Sequence, residues 1–434
     1  MKTNARALLG LLLVVLASMF LSGCKESYGC QVTFGASSCT PSGGGLGGGG
    51  GTGGTGGGGG GGGTTPTALA YDIVQTGEVN GIAYSSTVPS LTDISGFVLP
   101  TVPAADPSSE LVIAQKQYLY GIFPQTQLLY GWTIATSGDL TAMNGSPFTV
   151  AGLGGMVLNS TGVNYSGVAV NPDGTFLFIA DAGNAEILTF QIGVGGALTA
   201  GPTISTIGAV QPWNLAIDGL GKYLYVTEGI EGNGQHVAAY AINQGTGALT
   251  LVAGLMPFNI WELQGEPTGQ YMIGISGNSL GITGVVDNSI HVFSIQTGAT
   301  AGALTEVTNS PFATQFSPAN IAVQPNINNG SFVYSFSVDG TGTPNPIEGY
   351  ALNLTTGALT AIVGTPSSPF SGVTASPWGQ FDQSGDNLFV YSNTGGILPL
   401  IGVVNPAAGT GGLTESVATL PLSTGGYFAV TDPQ

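Results

Sequence analysis

Basic side chains are nearly absent from this chain. Only 5 lysines and arginines stand against 23 aspartates and glutamates in 434 residues, and charged residues make up 6% of the total. The basic residues are Lys2, Arg6, Lys25, Lys116 and Lys222, so no arginine follows residue 6. That deficit excludes a nucleic-acid partner, because phosphate contacts need Lys or Arg. Several constellations are missing too. There is no Asp-x-Asp-x-Asp-Gly calcium loop, no Gly-x-Ser-x-Gly nucleophile elbow, and no His or Cys partner at metal-ligand spacing. No metal or cofactor is implied. Helical periodicity is almost lacking as well, which leaves strands and turns to build the fold.

What the chain does have is a repeat. Gly-Ala-Leu-Thr or a close variant recurs with its leucine at Leu140, Leu198, Leu249, Leu304, Leu359 and Leu413, in steps of 58, 51, 55, 55 and 54 residues. One unit reads Val168-Ala169-Val170, an Asn171-Pro172-Asp173-Gly174 turn, then Phe176 to Ala180, which predicts a hairpin. Ile187 to Ile192 alternates as a third strand, and the Gly-Ala-Leu-Thr turn leads to a fourth. Four strands in about 50 residues is the pattern of a β-propeller blade.

Six units begin near Glu110, Gly167, Asn214, Glu262, Asn320 and Trp378. The run Tyr427 to Val430 reads as one more inner strand. Joined to strand-like runs at Asn80–Tyr84 and Ile94–Leu99, it would complete a seventh blade. The expectation is an all-β, seven-bladed propeller of four-stranded blades over residues 68–434.

Ahead of it, Lys2 and Arg6 precede an apolar run from Ala7 to Phe20, the pattern of an export signal over residues 1–23. Leu21-Ser22-Gly23-Cys24 resembles a lipoprotein processing site, which implies lipidation of Cys24 and attachment to a membrane. Processing would leave three lysines, no arginine and a formal charge of 3 − 23 = −20. Residues 24–67 then form a tether, almost pure glycine from Gly43 to Gly63. As flexible coil that run reaches about 25 Å. Cys30 and Cys39 can close a small loop in it, and no basic residue adjoins either thiol to make it reactive. The implied location is the cell envelope. The outer membrane is favoured over the inner, since Lys25 rather than Asp follows the lipid cysteine.

The blades resemble the seven-bladed lactonase family, typified by bacterial 6-phosphogluconolactonases, and the related Tyr-Val-Thr-Asn repeats. Tyr225-Val226-Thr227-Glu228, the Asn171 to Gly174 turn and the Gly-Ala-Leu-Thr series carry the resemblance. It implies a His-x-His ahead of the Pro-Asp-Gly turn in lactonase members. The matching positions here are Asn164, Tyr165 and Ser166. An Asp-x-Gly-x-Asp that follows survives as Asp181 and Gly183, with Ala185 in the last place. A phosphorylated sugar acid also needs a cationic partner, usually Arg. With only Lys116 and Lys222 in the propeller, phosphogluconolactone is not the expected substrate.

Trp213 and Trp261 share one blade position, immediately before the inner strand, and Trp378 lies one residue later. Their rings either wedge between blades or form a stacking surface at the funnel rim, with Asn214, Glu262 and Gln380 supplying hydrogen bonds. His236 and His291 also match, each just before a third strand, and read as polar loop residues, with metal ligands or general bases as the alternatives. Asp173, Asp218 and Asp339 sit beside glycines in turns, where Asp is favoured for backbone reasons. The first functional reading is a lipid-anchored binding module for a glycan, a lactone or an envelope protein. The second is a lactonase for an unphosphorylated lactone, with Glu262 or Asp181 activating water.

Overall fold

The computed structural model describes residues 66–74, 77–87, 89–94, 102–103, 110–150, 167–230, 233–276, 288–327, 330–337, 347–363, 378–392, 400–421 and 428–434. The expected signal, Cys24, Cys30, Cys39 and nearly all of the tether lie outside these residues. So do Asn164, Tyr165, Ser166 and Asp339.

The described chain is a seven-bladed β-propeller. Blade 1 comprises Glu110–Ala114, Tyr118–Phe123, Leu128–Ile134 and Leu140–Ala142. Blade 2 begins at Val168–Val170, blade 3 at Gln211–Ile217, blade 4 at Glu262–Gly265, blade 5 at Pro318–Val323 and blade 6 at Trp378–Phe381. In each, four antiparallel strands follow one another outward from the centre. Short strands at Phe148–Thr149, Ile204–Ser205 and Phe312–Ala313 pair with the third strand of blades 1, 2 and 4, in line with the fourth.

Blade 7 closes the ring. Its inner strand is Phe428–Thr431, and Ala68–Val74, Glu78–Ser85 and Ser90–Asp93 complete it. Leu69 pairs with Thr431 and Asp72 with Phe428. The strand expected over Ile94–Leu99 is not formed at its start, since the strand ends at Asp93. The Ile94 amide donates to the Gly81 carbonyl at 3.0 Å. Its side chain fills the space that a Cβ on Gly81 or Gly138 would need. Residues 95–99 lie outside the described chain.

Burial explains the strand sequences. Every residue of Phe176–Asp181 and Phe332–Ser337, both second strands, is buried. A blade is covered by a neighbour on each face, so such strands read as continuous apolar runs. Fourth strands such as Leu198–Ala200 are largely exposed. Seven apolar clusters fill the seven interfaces, each joining consecutive blades. The core therefore lies between blades rather than at the axis, which leaves the axis free.

The turn after the inner strand is fixed by a buried polar side chain. Asn171 accepts from the Phe176 amide at 2.7 Å, Asp218 from Tyr223 at 2.6 Å and Glu266 from Tyr271 at 3.1 Å. Asp173 likewise caps its own turn, accepting from the Thr175 amide at 3.0 Å. Asp173 and Asp218 thus serve backbone geometry, as their turn context predicts.

Candidate functional site

The inner strands enclose a cavity of about 390 Å³ on the propeller axis. Asn214, Glu262, Asn320, Trp378 and Gln380 line it, so the structure brings together four of the residues expected at the funnel. Its described lining includes Glu262 and Asp382 and no Lys, Arg or His.

Glu262 is the first residue of its strand and is 5% exposed. Gln264 Nε2 donates to its Oε1 at 2.8 Å, and Asn320 Nδ2 lies 3.2 and 3.3 Å from the two oxygens. Burial pushes the carboxyl up to about 8, against the opposing pull of the Gln264, Ile321 and Asn320 hydrogen bonds. Such a group sits near neutrality, where an acid–base catalyst is most useful.

Its neighbours are held by bonds that cross between blades. Gln264 Nε2 also donates to the Ile321 carbonyl at 2.7 Å, and its Oε1 accepts from the Val323 amide at 3.0 Å. Asn214 Oδ1 accepts from the Leu263 amide at 3.0 Å, and Asn320 Oδ1 from Gly379 at 3.3 Å. Gln380 Oε1 is buried with no hydrogen-bond partner among the described residues. At the opposite end of the inner strands Asp382 is fully buried. Burial raises its carboxyl to about 6, the charge of Asp432 adds to this, and bonds from Asn387 oppose it.

The other expected residues lie elsewhere. Asp181 is not among the residues lining the cavity. It is fully buried at the end of a second strand and accepts from the Asn184 amide at 3.1 Å and from Asn184 Nδ2 at 2.8 Å. Trp213 and Trp261 are 3% and 6% exposed and stack on each other, with centroids 4.5 Å apart and planes 7° apart. Trp213 lies within its strand, at a bulge between Pro212 and Asn214, rather than ahead of it. Neither ring belongs to the cavity wall, whereas Trp378 does.

The histidines are strand residues and not loop residues. His236 Nε2 is 3.7 Å from Glu228 Oε1, and His291 Nδ1 is 2.8 Å from Glu306 Oε1. Each faces an acid of the neighbouring strand in its own blade, and the His291–Glu306 pair is close enough to hydrogen bond. No group of three or more His, Cys, Asp and Glu able to hold a metal exists among the described residues.

Sequence reasoning missed Gln264, Asn320 and Asp382 as site residues. Asn320 occupies the blade position of Asn214 and Glu262, so superposing the repeats would have found it. Gln264 is two residues beyond Glu262 and shares its face of the strand.

The family model for lactonase, 7-bladed beta-propeller, matches residues 129–258. No curated protein sequence matches the chain. Among solved structures, a periplasmic gluconolactonase of Pseudomonas aeruginosa is similar at TM-score 0.59 and 12% identity, over 85% of this chain and 99% of its own. A candidate 6-phosphogluconolactonase of Bacteroides uniformis is similar at TM-score 0.58 and 14% identity, over 85% and 100%. One of Bacteroides fragilis gives 0.57 and 16%, over 85% and 99%. Identities this low establish the fold. The resemblance read from the blade motifs thus holds: the chain is similar to the seven-bladed lactonase family in sequence over residues 129–258 and in fold across the described propeller.

Proposed function

We propose that the central channel hydrolyses an unphosphorylated lactone, with Glu262 as general base. The observation that carries this reading is a buried carboxyl, raised to about 8, on the wall of a cavity whose described lining otherwise holds amides, apolar groups and one further acid, Asp382, at the far end of the inner strands. In the deprotonated form Glu262 takes a proton from water as the oxygen attacks the lactone carbonyl. Collapse of the tetrahedral intermediate breaks the ring C–O bond, and the departing alkoxide recovers the proton from Glu262. The product is the open hydroxy acid. Gln380 supplies an amide to the reacting group, and Trp378 an apolar face for the ring. The absence of cationic lining residues argues against a phosphorylated substrate.

This places the lactonase reading ahead of the binding module. Asp181, the other water activator inferred from the sequence, is already engaged by Asn184. The test is proton release by the full chain over a panel of neutral lactones in a pH-stat. Turnover lost in Glu262→Gln supports the reading, and no hydrolysis above background on any lactone ends it. Anchoring through Cys24 belongs to the same proposal and places the channel outside the cytoplasm. Incorporation of labelled palmitate by the wild type, lost in Cys24→Ala, is the corresponding check.

A further inference from the structure

The channel has a second compartment that is poorer in polar side chains. A cavity of about 350 Å³ adjoins the first and shares Val112, Ile113, Ile217, Gly265 and Pro325 with it. Its own wall comes from Val168 and Val170 in blade 2 and from Pro172 and Pro267 in the turns that follow the inner strands. Asp218 is the single ionisable residue in this lining. Its oxygens accept from the Tyr223 and Leu220 amides at 2.6 and 3.2 Å, so the charge is directed into its own hairpin. On blade 6, Asp382 is similarly held by the amides of Asp386 and Asn387 at 3.1 and 3.2 Å.

The polar side chains of the first compartment and the valine and proline wall of the second are offset along the same strands. Asn214 lines the first cavity, Ile217 lines both and Asp218 lines the second. Asp218 is four residue steps beyond Asn214, about 13 Å at roughly 3.3 Å each. A small polar ring at the Glu262 end would leave the valine and proline wall empty. A ligand with a polar head and an alkyl tail would fill both.

We propose that the channel takes an amphipathic lactone, with its ring beside Glu262 and its alkyl chain along Val168, Val170, Ile217 and the three prolines. This rests on reading the channel as a lactone site. The tail contributes by leaving water, so affinity depends on chain length and not on a further polar contact.

Two series on the full chain test it: turnover of γ-butyrolactone, γ-octalactone and γ-dodecalactone, and calorimetric binding of the corresponding γ-lactams, which resist hydrolysis. The expected result is a rise of about threefold to fourfold per methylene in lactam affinity and in kcat/KM until the compartment is full. Val170→Asn lowers the gain for the long chains and leaves γ-butyrolactam unchanged. Affinity and kcat/KM that are independent of chain length in the wild type overturn the proposal, whatever the variant does. Hydrolysis of all three lactones at equal efficiency removes the alkyl compartment and spares the lactonase reading. Lactam affinity that climbs with chain length while no lactone is turned over does the reverse.

Discussion

The hydroxyl of Tyr334 donates to the carbonyl of Gly411 at 2.6 Å, across the interface between blades 5 and 6. Gly411 opens the last Gly-x-Leu-Thr tetrapeptide, and the same contact recurs around the ring. Tyr71 donates to Gly138 at 2.7 Å, Tyr120 to Gly196 at 2.7 Å and Tyr225 to Gly302 at 3.0 Å. All four glycines have positive φ, a backbone that L side chains rarely adopt, which accounts for the invariant first residue of the motif. Where blades 2 and 4 place Phe178 and Ile273 at the tyrosine position, no such hydroxyl exists.

Removing one staple should therefore cost a single hydrogen bond. Tyr334→Phe is expected to lower stability by about 1 kcal/mol, and Phe178→Tyr to raise it by a similar or smaller amount. Urea unfolding of the two variants beside the wild type measures both. Equal midpoints for all three would show that the hydroxyls contribute nothing.

Glu262 predicts the pH dependence of turnover. With a carboxyl raised to about 8, kcat/KM should climb through that pH and level off above it. Glu262→Gln should lose roughly 100-fold or more of the activity. A profile that is flat from pH 6 to 9 would separate the activity from this carboxyl.

Stability should run the other way. Burial raises Glu228 and Glu262 from 4.5 to about 8 and Asp382 from 3.8 to about 6. Between those limits the native state holds protons that the unfolded state has lost, so stability grows as pH falls from about 8 towards 5. Glu228 and Asp72 each have both oxygens buried without a hydrogen-bond partner among the described residues, so both contribute a cost at high pH. Glu228→Gln should raise the melting temperature at pH 8.5 and have little effect at pH 5, flattening a slope of up to about 1.4 kcal/mol per pH unit. Thermal melts of both proteins at the two pH values decide it.

The tryptophans should separate by role. Trp213→Ala removes half of a buried stacked pair and should cost about 3–5 kcal/mol. Trp378→Ala, on the cavity wall, should cost less stability and raise KM several-fold through loss of about 1 kcal/mol of ring contact. Identical melting temperatures for Trp213→Ala and the wild type would contradict the packing.

Fold and site were unequally legible in the sequence. Blade boundaries could be read because the Gly-x-Leu-Thr turn and the apolar second strand impose the same backbone in every unit. Closure could be read from Tyr427 to Val430, since that segment has no partner of its own. The site was harder. Asn214, Glu262, Trp378 and Gln380 fall on the channel because the repeat fixes which end of an inner strand meets the axis. Trp213 and Trp261 share that position in the sequence, yet they stack on each other. A one-residue bulge at Trp213 turns its side chain from the axis into the neighbouring blade, and no local pattern announces a bulge. Gln264 escaped notice because its role depends on Ile321 and Val323, more than fifty residues away.

The pairing of Leu69 with Thr431 imposes an order on how the molecule is made. Ala68–Val74 is made before the other six blades, and its inner partner follows after all of them. Until then blade 7 lacks its inner strand, and an unpaired edge stays open to other chains. The propeller thus stays an open arc while its other blades are made, and one four-residue strand turns that arc into a ring.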